Sequence, residues 1–195
     1  MFFLSASPQA TCRTALWHGF AGHVMLPWAL QGLEPHGQLL ELGSGSAAMA
    51  AGTAARFPEV QVTATDLDPE MVRAAAARLA RYRNAAAEQA DVVGLPFADG
   101  SFDVVACFLM LHHVGDWRRG LDEAYRVLRP GGTFVGYDLA DAILGKASHV
   151  TDHSPHQFLR PGDMLGALDT AGFERSRVSS GFGRQLIRFI AVKPG

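Results

Sequence analysis

A chain of 195 residues has room for one domain with a full hydrophobic core and too little for two of ordinary size. Its formal net charge of −2, with arginines scattered among acids, removes the electrostatic basis for nucleic-acid binding. Two widely separated cysteines, Cys12 and Cys107, suggest no disulfide framework, and no apolar run is long enough to span a membrane, which predicts one cytoplasmic domain over residues 1–195.

The opening Met1-Phe2-Phe3-Leu4 is apolar but lacks a basic lead and is interrupted at Ser5, so it reads as neither a signal peptide nor a span. Thr14–Gln31 carries Leu16, Trp17, Phe20, Val24, Leu26 and Leu30 in a mixed helical pattern broken at Gly19, Gly22 and Pro27. One or two short helices are expected there, within a helical cap over 1–36.

Gln38–Leu42 reads as a short buried strand. Gly43 and Gly45 follow, giving a turn that can take positive φ and approach a ligand closely. Ser46–Phe57 is the predicted helix, stopped by Pro58, and its first turn offers unpaired N–H groups to a carboxylate or other negatively polarised ligand. A second strand, Val60–Thr65, ends at Asp66, placed to accept hydrogen bonds from two ribose hydroxyls. These elements describe a nucleoside-cofactor site. Gly43-Ser44-Gly45-Ser46-Ala47-Ala48 also satisfies the dinucleotide fingerprint with alanine in third place, so a nicotinamide-dependent oxidoreductase stays open at this point.

Asp68, Pro69 and Glu70 form a helix start, and Met71, Val72, Ala75, Ala76 and Leu79 supply an inward stripe to an end near Asn84. Ala85–Asp91 is a third strand and Val92–Ser101 a loop. Phe102–Met110, apolar on both faces, is the centre of a parallel sheet. Asp116 caps a helix with Leu121, Ala124, Tyr125 and Leu128 inward, and Pro130-Gly131-Gly132 stops it before a fifth strand, Thr133–Asp138. Leu139–Arg160 is long for a connection and reads as a lid or substrate loop. Helix Pro161–Ala171 precedes strands Phe173–Ser179 and Arg184–Val192, which the turn Ser180–Gly183 joins as an antiparallel hairpin. The class is α/β, a mostly parallel sheet with helices on both faces.

Asp91-Val92-Val93-Gly94-Leu95-Pro96-Phe97-Ala98-Asp99-Gly100-Ser101-Phe102-Asp103, then Leu111-His112-His113 and Arg126-Val127-Leu128-Arg129-Pro130-Gly131-Gly132, follow the Leu39–Ala48 motif in order. In these stretches the chain resembles the class I, Rossmann-like S-adenosylmethionine-dependent methyltransferases, in particular the small group that includes quinone-pathway C-methyltransferases. The resemblance implies a doubly wound seven-stranded sheet of order 3-2-1-4-5-7-6 with an antiparallel C-terminal strand. It implies S-adenosylmethionine as cofactor, S-adenosylhomocysteine as product, and in-line methyl transfer to an O, N or C nucleophile of a small-molecule acceptor by a monomer or homodimer. Position by position, it places Gly43, Ser44 and Gly45 beneath the cofactor's amino-acid tail and ribose, with Glu41 toward the tail's ammonium. Asp66 takes the ribose, Leu67 packs by the adenine, and Asp91 with the Val92 backbone reads the adenine; Leu109 completes this lining. Ala47 departs from the family, which often has a third glycine there.

His112 and His113 lie just beyond the fourth strand, on the ligand-binding edge, and either acts as a general base or shapes the acceptor pocket. Tyr137 and Asp138, at the end of the fifth strand, and His149 in the long loop are candidates to face the acceptor. His149, His153 and His156 have no cysteine near them, and no metal site is expected. Two other functions remain: a methyltransferase-like module that holds cofactor or product and acts through a partner, and the oxidoreductase above.

Overall fold

The structure is a computed structural model that describes residues 20–141 and 158–195. Among them, seven strands form one sheet: β1 (Gln38–Leu42), β2 (Gln61–Asp66), β3 (Ala85–Gln89), β4 (Phe102–Phe108), β5 (Leu128–Leu139), β6 (Glu174–Gly181) and β7 (Leu186–Val192). Their spatial order is β3-β2-β1-β4-β5-β7-β6. The first five are parallel, and β7 lies antiparallel to both β5 and β6. Both the predicted order and the terminal hairpin are present.

Among the described residues five α-helices flank the sheet: α1 (Leu26–Leu30), α2 (Ala48–Arg56), α3 (Pro69–Leu79), α4 (Trp117–Val127) and α5 (Pro161–Thr170). β4 shows why the helices divide between two faces. Val104, Ala106 and Phe108 pack with Leu26, Ala50 and Leu79 on the α1–α3 side, whereas Val105 and Cys107 pack with Trp117, Leu121 and Leu168 on the α4–α5 side. Side chains alternate along a strand, so an uninterrupted apolar run supplies two cores at once.

Several boundaries differ from the sequence reading. The helix expected from Ser46 begins at Ala48, because Ala47 sits at φ 58° in the left-handed region and prolongs the turn. α3 ends at Leu79 instead of near Asn84, and Ala76 faces solvent. Asn84 is spent elsewhere: its amide donates to the carbonyls of Ala54, Phe57 and Val60, pinning the end of α2 and the start of β2. β3 stops at Gln89, and β4 stops at Phe108, where Leu109 turns to φ 53°.

The expected stop at Pro130-Gly131-Gly132 lies inside β5. Leu128 pairs with Phe102, the register shifts, and pairing resumes at Val104 with Thr133. Gly131 N donates to Lys193 O at 2.9 Å, and Lys193 Nζ donates to the carbonyls of Tyr125 and Leu128 at the end of α4. The helix terminus is thus satisfied by a lysine just past the last strand, and the chain enters the sheet without a free loop. The hairpin turn is likewise displaced: Gly181 belongs to β6, where a β-carbon would overlap the Trp28 ring.

Before β1, the chain makes a π-helical turn, Ala21–Met25, that runs directly into α1. Pro27, expected to interrupt a helix, occupies the first turn of α1, where its missing N–H costs little. The 139–160 connection is closed at its base by a parallel bridge between Ala140 and Leu159.

Candidate functional site

β1 ends at the middle of the sheet, and three left-handed residues in alternation, Gly43, Gly45 and Ala47, carry the chain around to α2. Hydrogen bonds fix this turn to the end of β2. Ser44 N donates to Thr65 O at 2.7 Å, Ala47 N to Ser44 O at 2.8 Å, and the Thr65 hydroxyl to Glu41 O at 2.9 Å. Asp66 is the keystone: one carboxylate oxygen accepts from Gly45 N at 2.8 Å and the other from Asp68 N at 3.0 Å.

Gly43 has to be glycine for a further reason. A β-carbon there would overlap the side chain of Met110, which the left-handed Leu109 directs over the turn. At Gly45 a β-carbon would meet nothing within 4 Å, because this residue borders open space. That space is a cavity of about 580 Å³, within the range of small-molecule sites.

Gly43, Gly45, Asp66 and Leu67 form one side of the cavity, and Asp91, Val92, Leu109 and His113 also line it. Leu67 is 61% exposed and forms an open apolar rim. The loop bearing Asp91 and Val92 is held against α4 by a partly buried ion pair. Glu123 accepts from Leu95 N at 2.8 Å and from Arg126, while Arg126 also donates to the carbonyls of Leu95 and Phe97 and to Asp99. The Arg126 hydrogen bond holds the Glu123 carboxyl below its ordinary pKa.

Other residues singled out by the sequence lie behind the cavity. Glu41 is 2% exposed, and burial together with the charge of Asp66 pushes its pKa up to about 8. Among the described residues neither Glu41 Oε2 nor the Ser44 hydroxyl has a hydrogen-bond partner, although both are buried beside the turn. Tyr137 is buried edge-on to Trp28 and outside the cavity lining. His112 is buried against Asp138, while the adjoining His113 ring, 3.9 Å away between centroids, reaches the cavity. His149 lies outside the described residues, as do His153 and His156. Among the described residues no three His, Cys, Asp or Glu side chains gather where they could hold a metal, and no helix is long and apolar enough to cross a membrane.

Met71, Met110 and Asp116 were not singled out for the site, yet all three line it. Met71 was read as core stripe and is half-buried at the cavity wall. Asp116 does cap α4, accepting from Arg119 N at 3.2 Å, and lines the cavity as well. Met110 carries no local signal, since its position depends on the strained residue before it.

Residues 40–136 match the family model described as a methyltransferase domain. A ubiquinone/menaquinone biosynthesis C-methyltransferase of Geotalea daltonii is 36% identical over 105 residues, 52% of this chain and 45% of that protein. A malonyl-[acyl-carrier protein] O-methyltransferase of Geobacter sulfurreducens is 31% identical over 159 residues, 76% of this chain and 59% of that protein. The chain therefore spans about half the length of the curated relatives it matches. In fold it resembles the Thermotoga maritima S-adenosylmethionine-dependent methyltransferase, with a TM-score of 0.74 at 22% identity, covering 91% of this chain and 92% of that one. It also resembles Haemonchus contortus phosphoethanolamine N-methyltransferase 2 solved with S-adenosylmethionine, with a TM-score of 0.78 at 18% identity over 88% of this chain and 52% of that one. With the methyltransferase match falling on the glycine turn, both acids and the five parallel strands, the chain belongs to the Rossmann-like S-adenosylmethionine-dependent methyltransferase family.

Proposed function

We propose that the chain transfers the methyl group of S-adenosylmethionine to an O, N or C nucleophile of a small-molecule acceptor, working in the cytoplasm as a monomer or homodimer. The observation that carries this reading is the convergence of the glycine turn, Asp66 and Asp91 on one cavity, with two unpartnered acceptor oxygens buried just behind the turn.

The residues fit the cofactor by their chemistry. Each Asp66 oxygen accepts one backbone N–H and retains a lone pair, so the carboxylate can receive ribose hydroxyls without releasing the turn. Glu41 and Ser44 offer acceptors toward an ammonium, and Asp91 offers one toward an adenine amino group. When bound, the sulfonium supplies a methyl group that is already electrophilic. The chain's own contribution is alignment, which is worth many kcal/mol when nucleophile and carbon are held in line. His113 borders the cavity and is the imidazole placed to take a proton where the acceptor carries one. His112 positions it from behind, and Tyr137 packs edge-on against Trp28 outside the lining. Residues 1–36 and the 139–160 connection, with His149, complete the acceptor side in this proposal. The names of the relatives include both C- and O-methyltransferases, which keeps the acceptor atom open.

Calorimetric titration with S-adenosylmethionine and S-adenosylhomocysteine tests the reading. Binding in the micromolar range is expected, weakened at least roughly tenfold by Asp66→Ala. A wild-type chain that binds neither compound would sink it.

A further inference from the structure

A second cleft, of about 440 Å³, opens between the N-terminal helical segment, α2 and α3. It is close to the first: Ser46 lines the cofactor cavity and Ala48 lines this cleft. Its floor is made of small residues, among them Gly22, Ala51 and Gly52. The helices touch there, since a β-carbon on Gly52 would come within 2.9 Å of Gly22 Cα.

The remaining lining is basic and aromatic. Arg56 comes from the last turn of α2, Arg78 from the last turn of α3, and Arg81 and Tyr82 from just beyond it, with His23 added by the N-terminal segment. Arg78 is fixed by its Nε–H donating to Ser46 O at 2.5 Å. Arg81 lies 5.0 Å from the Tyr82 ring centroid and Arg56 5.7 Å from that of Phe57. Stacking of this kind orders a guanidinium and leaves its N–H edge to donate.

Among the described residues no acidic side chain lines this cleft. Residues 1–19, which lead into the N-terminal segment, contain no Asp or Glu. Burial, and then the charge of Arg81, lower the pKa of Arg78, as expected where positive charges gather.

We propose that this cleft is a binding site for a small multivalent anion bearing phosphate or carboxylate groups, held by Arg78 and Arg81 with Arg56 at the rim. Guanidinium forks suit both groups, which they grip through paired charge-assisted hydrogen bonds. The volume exceeds what a bare ion needs and falls in the range of small-molecule sites. Arg78 is shared between the cleft and the Ser46 carbonyl, which links the anion mechanically to the cofactor turn. The site does not depend on the methyl-transfer reading.

The test titrates the full chain separately with pyrophosphate and with citrate at low salt, read by backbone amide shifts and calorimetry. Saturable shifts are expected at Ala51, Gly52 and Ala55. The double variant Arg56→Gln/Arg81→Gln, altered at two exposed positions, should weaken binding by roughly tenfold or more. Arg73→Gln should not, since Arg73 is exposed on the same helix, 3.6 Å from Glu70, and outside the lining. Tighter pyrophosphate binding assigns the site to phosphate chemistry, and tighter citrate binding to carboxylates. No saturable binding of either anion, or equal loss in Arg73→Gln, overturns the proposal. A parallel titration with S-adenosylhomocysteine keeps that failure distinct from failure of the proposed activity.

Discussion

His112 Nδ1 lies 2.5 Å from Asp138 Oδ1, and the two side chains are 4% and 0% exposed. The same carboxylate accepts from His112 N at 3.3 Å and Leu139 N at 2.7 Å, so it fixes the imidazole and both loop ends together. Asp138→Asn keeps the shape but replaces one acceptor with a donor facing buried N–H groups. A loss of about 1–3 kcal/mol is expected in urea unfolding. Retention of full stability would mean that the carboxylate is not the anchor of this edge.

Glu41 gives stability an unusual slope with pH. Its folded pKa of about 8 stands above the ordinary 4.5, so between these values the unfolded chain releases a proton that the folded chain keeps. Folding is therefore favoured less as pH rises through this window, by a total on the order of 4 kcal/mol. Glu41→Gln should remove this dependence, leaving the two proteins closest near pH 4 and the variant ahead at pH 8. Parallel stability curves for the two proteins from pH 4 to 8 would contradict the burial argument.

Glu123 works in the opposite sense. Its pKa is held down by Arg126, so its contribution is present above the ordinary carboxylate value and is lost as pH falls through the depressed one. Arg126→Met would leave the carboxylate, 5% exposed, with Arg119, itself 53% exposed and 3.4 Å away, as its remaining cation among the described residues. Because Arg126 is itself 30% exposed, the expected cost is about 2–3 kcal/mol, less than for a fully buried pair. The loop carrying Asp91 should loosen with it, which hydrogen exchange at Val93 and Gly94 would register.

Ala47→Gly should stabilise the chain by up to about 1 kcal/mol, because it relieves a left-handed alanine. Ala50→Gly, three residues on and inside α2, should cost about 1 kcal/mol or more. Comparison of urea midpoints decides the matter: equal losses at both positions would show that the Ala47 backbone carries no strain.

What the sequence displayed best was chemistry fixed by neighbours along the chain. Gly43, Gly45 and Asp66 could be assigned because a strand, a turn and a strand end need only local patterns to be recognised. The Asp68–Pro69 helix start was plain for the same reason. Ala47 was visible as a departure from glycine, but its left-handed backbone was not, since alanine is an ordinary helix residue by composition. Pro130-Gly131-Gly132 looked like a stop because nothing nearby shows that Lys193, more than sixty residues away, satisfies the end of α4. Met110 and the Glu123–Arg126 clasp escaped for a related reason: their roles arise from what lies across the sheet edge, and no periodicity encodes that. The second cleft was equally hidden, because its arginines belong to two stretches of chain that meet only in the fold.

The bridge between Ala140 and Leu159 bears on how such a chain can change over evolutionary time or in the hands of a protein engineer. With Asp141 N donating to Leu159 O and Leu159 N to Leu139 O, the two ends of the connection are already gathered at the sheet edge. The entropy of closing a loop grows only slowly with its length once its ends are held. Segments of different length or composition can thus be exchanged between residues 141 and 158 while the anchor points stay put. If the connection lines the acceptor side as proposed above, such exchanges retune acceptor choice and leave the Gly43–Ala47 turn and Asp66 untouched.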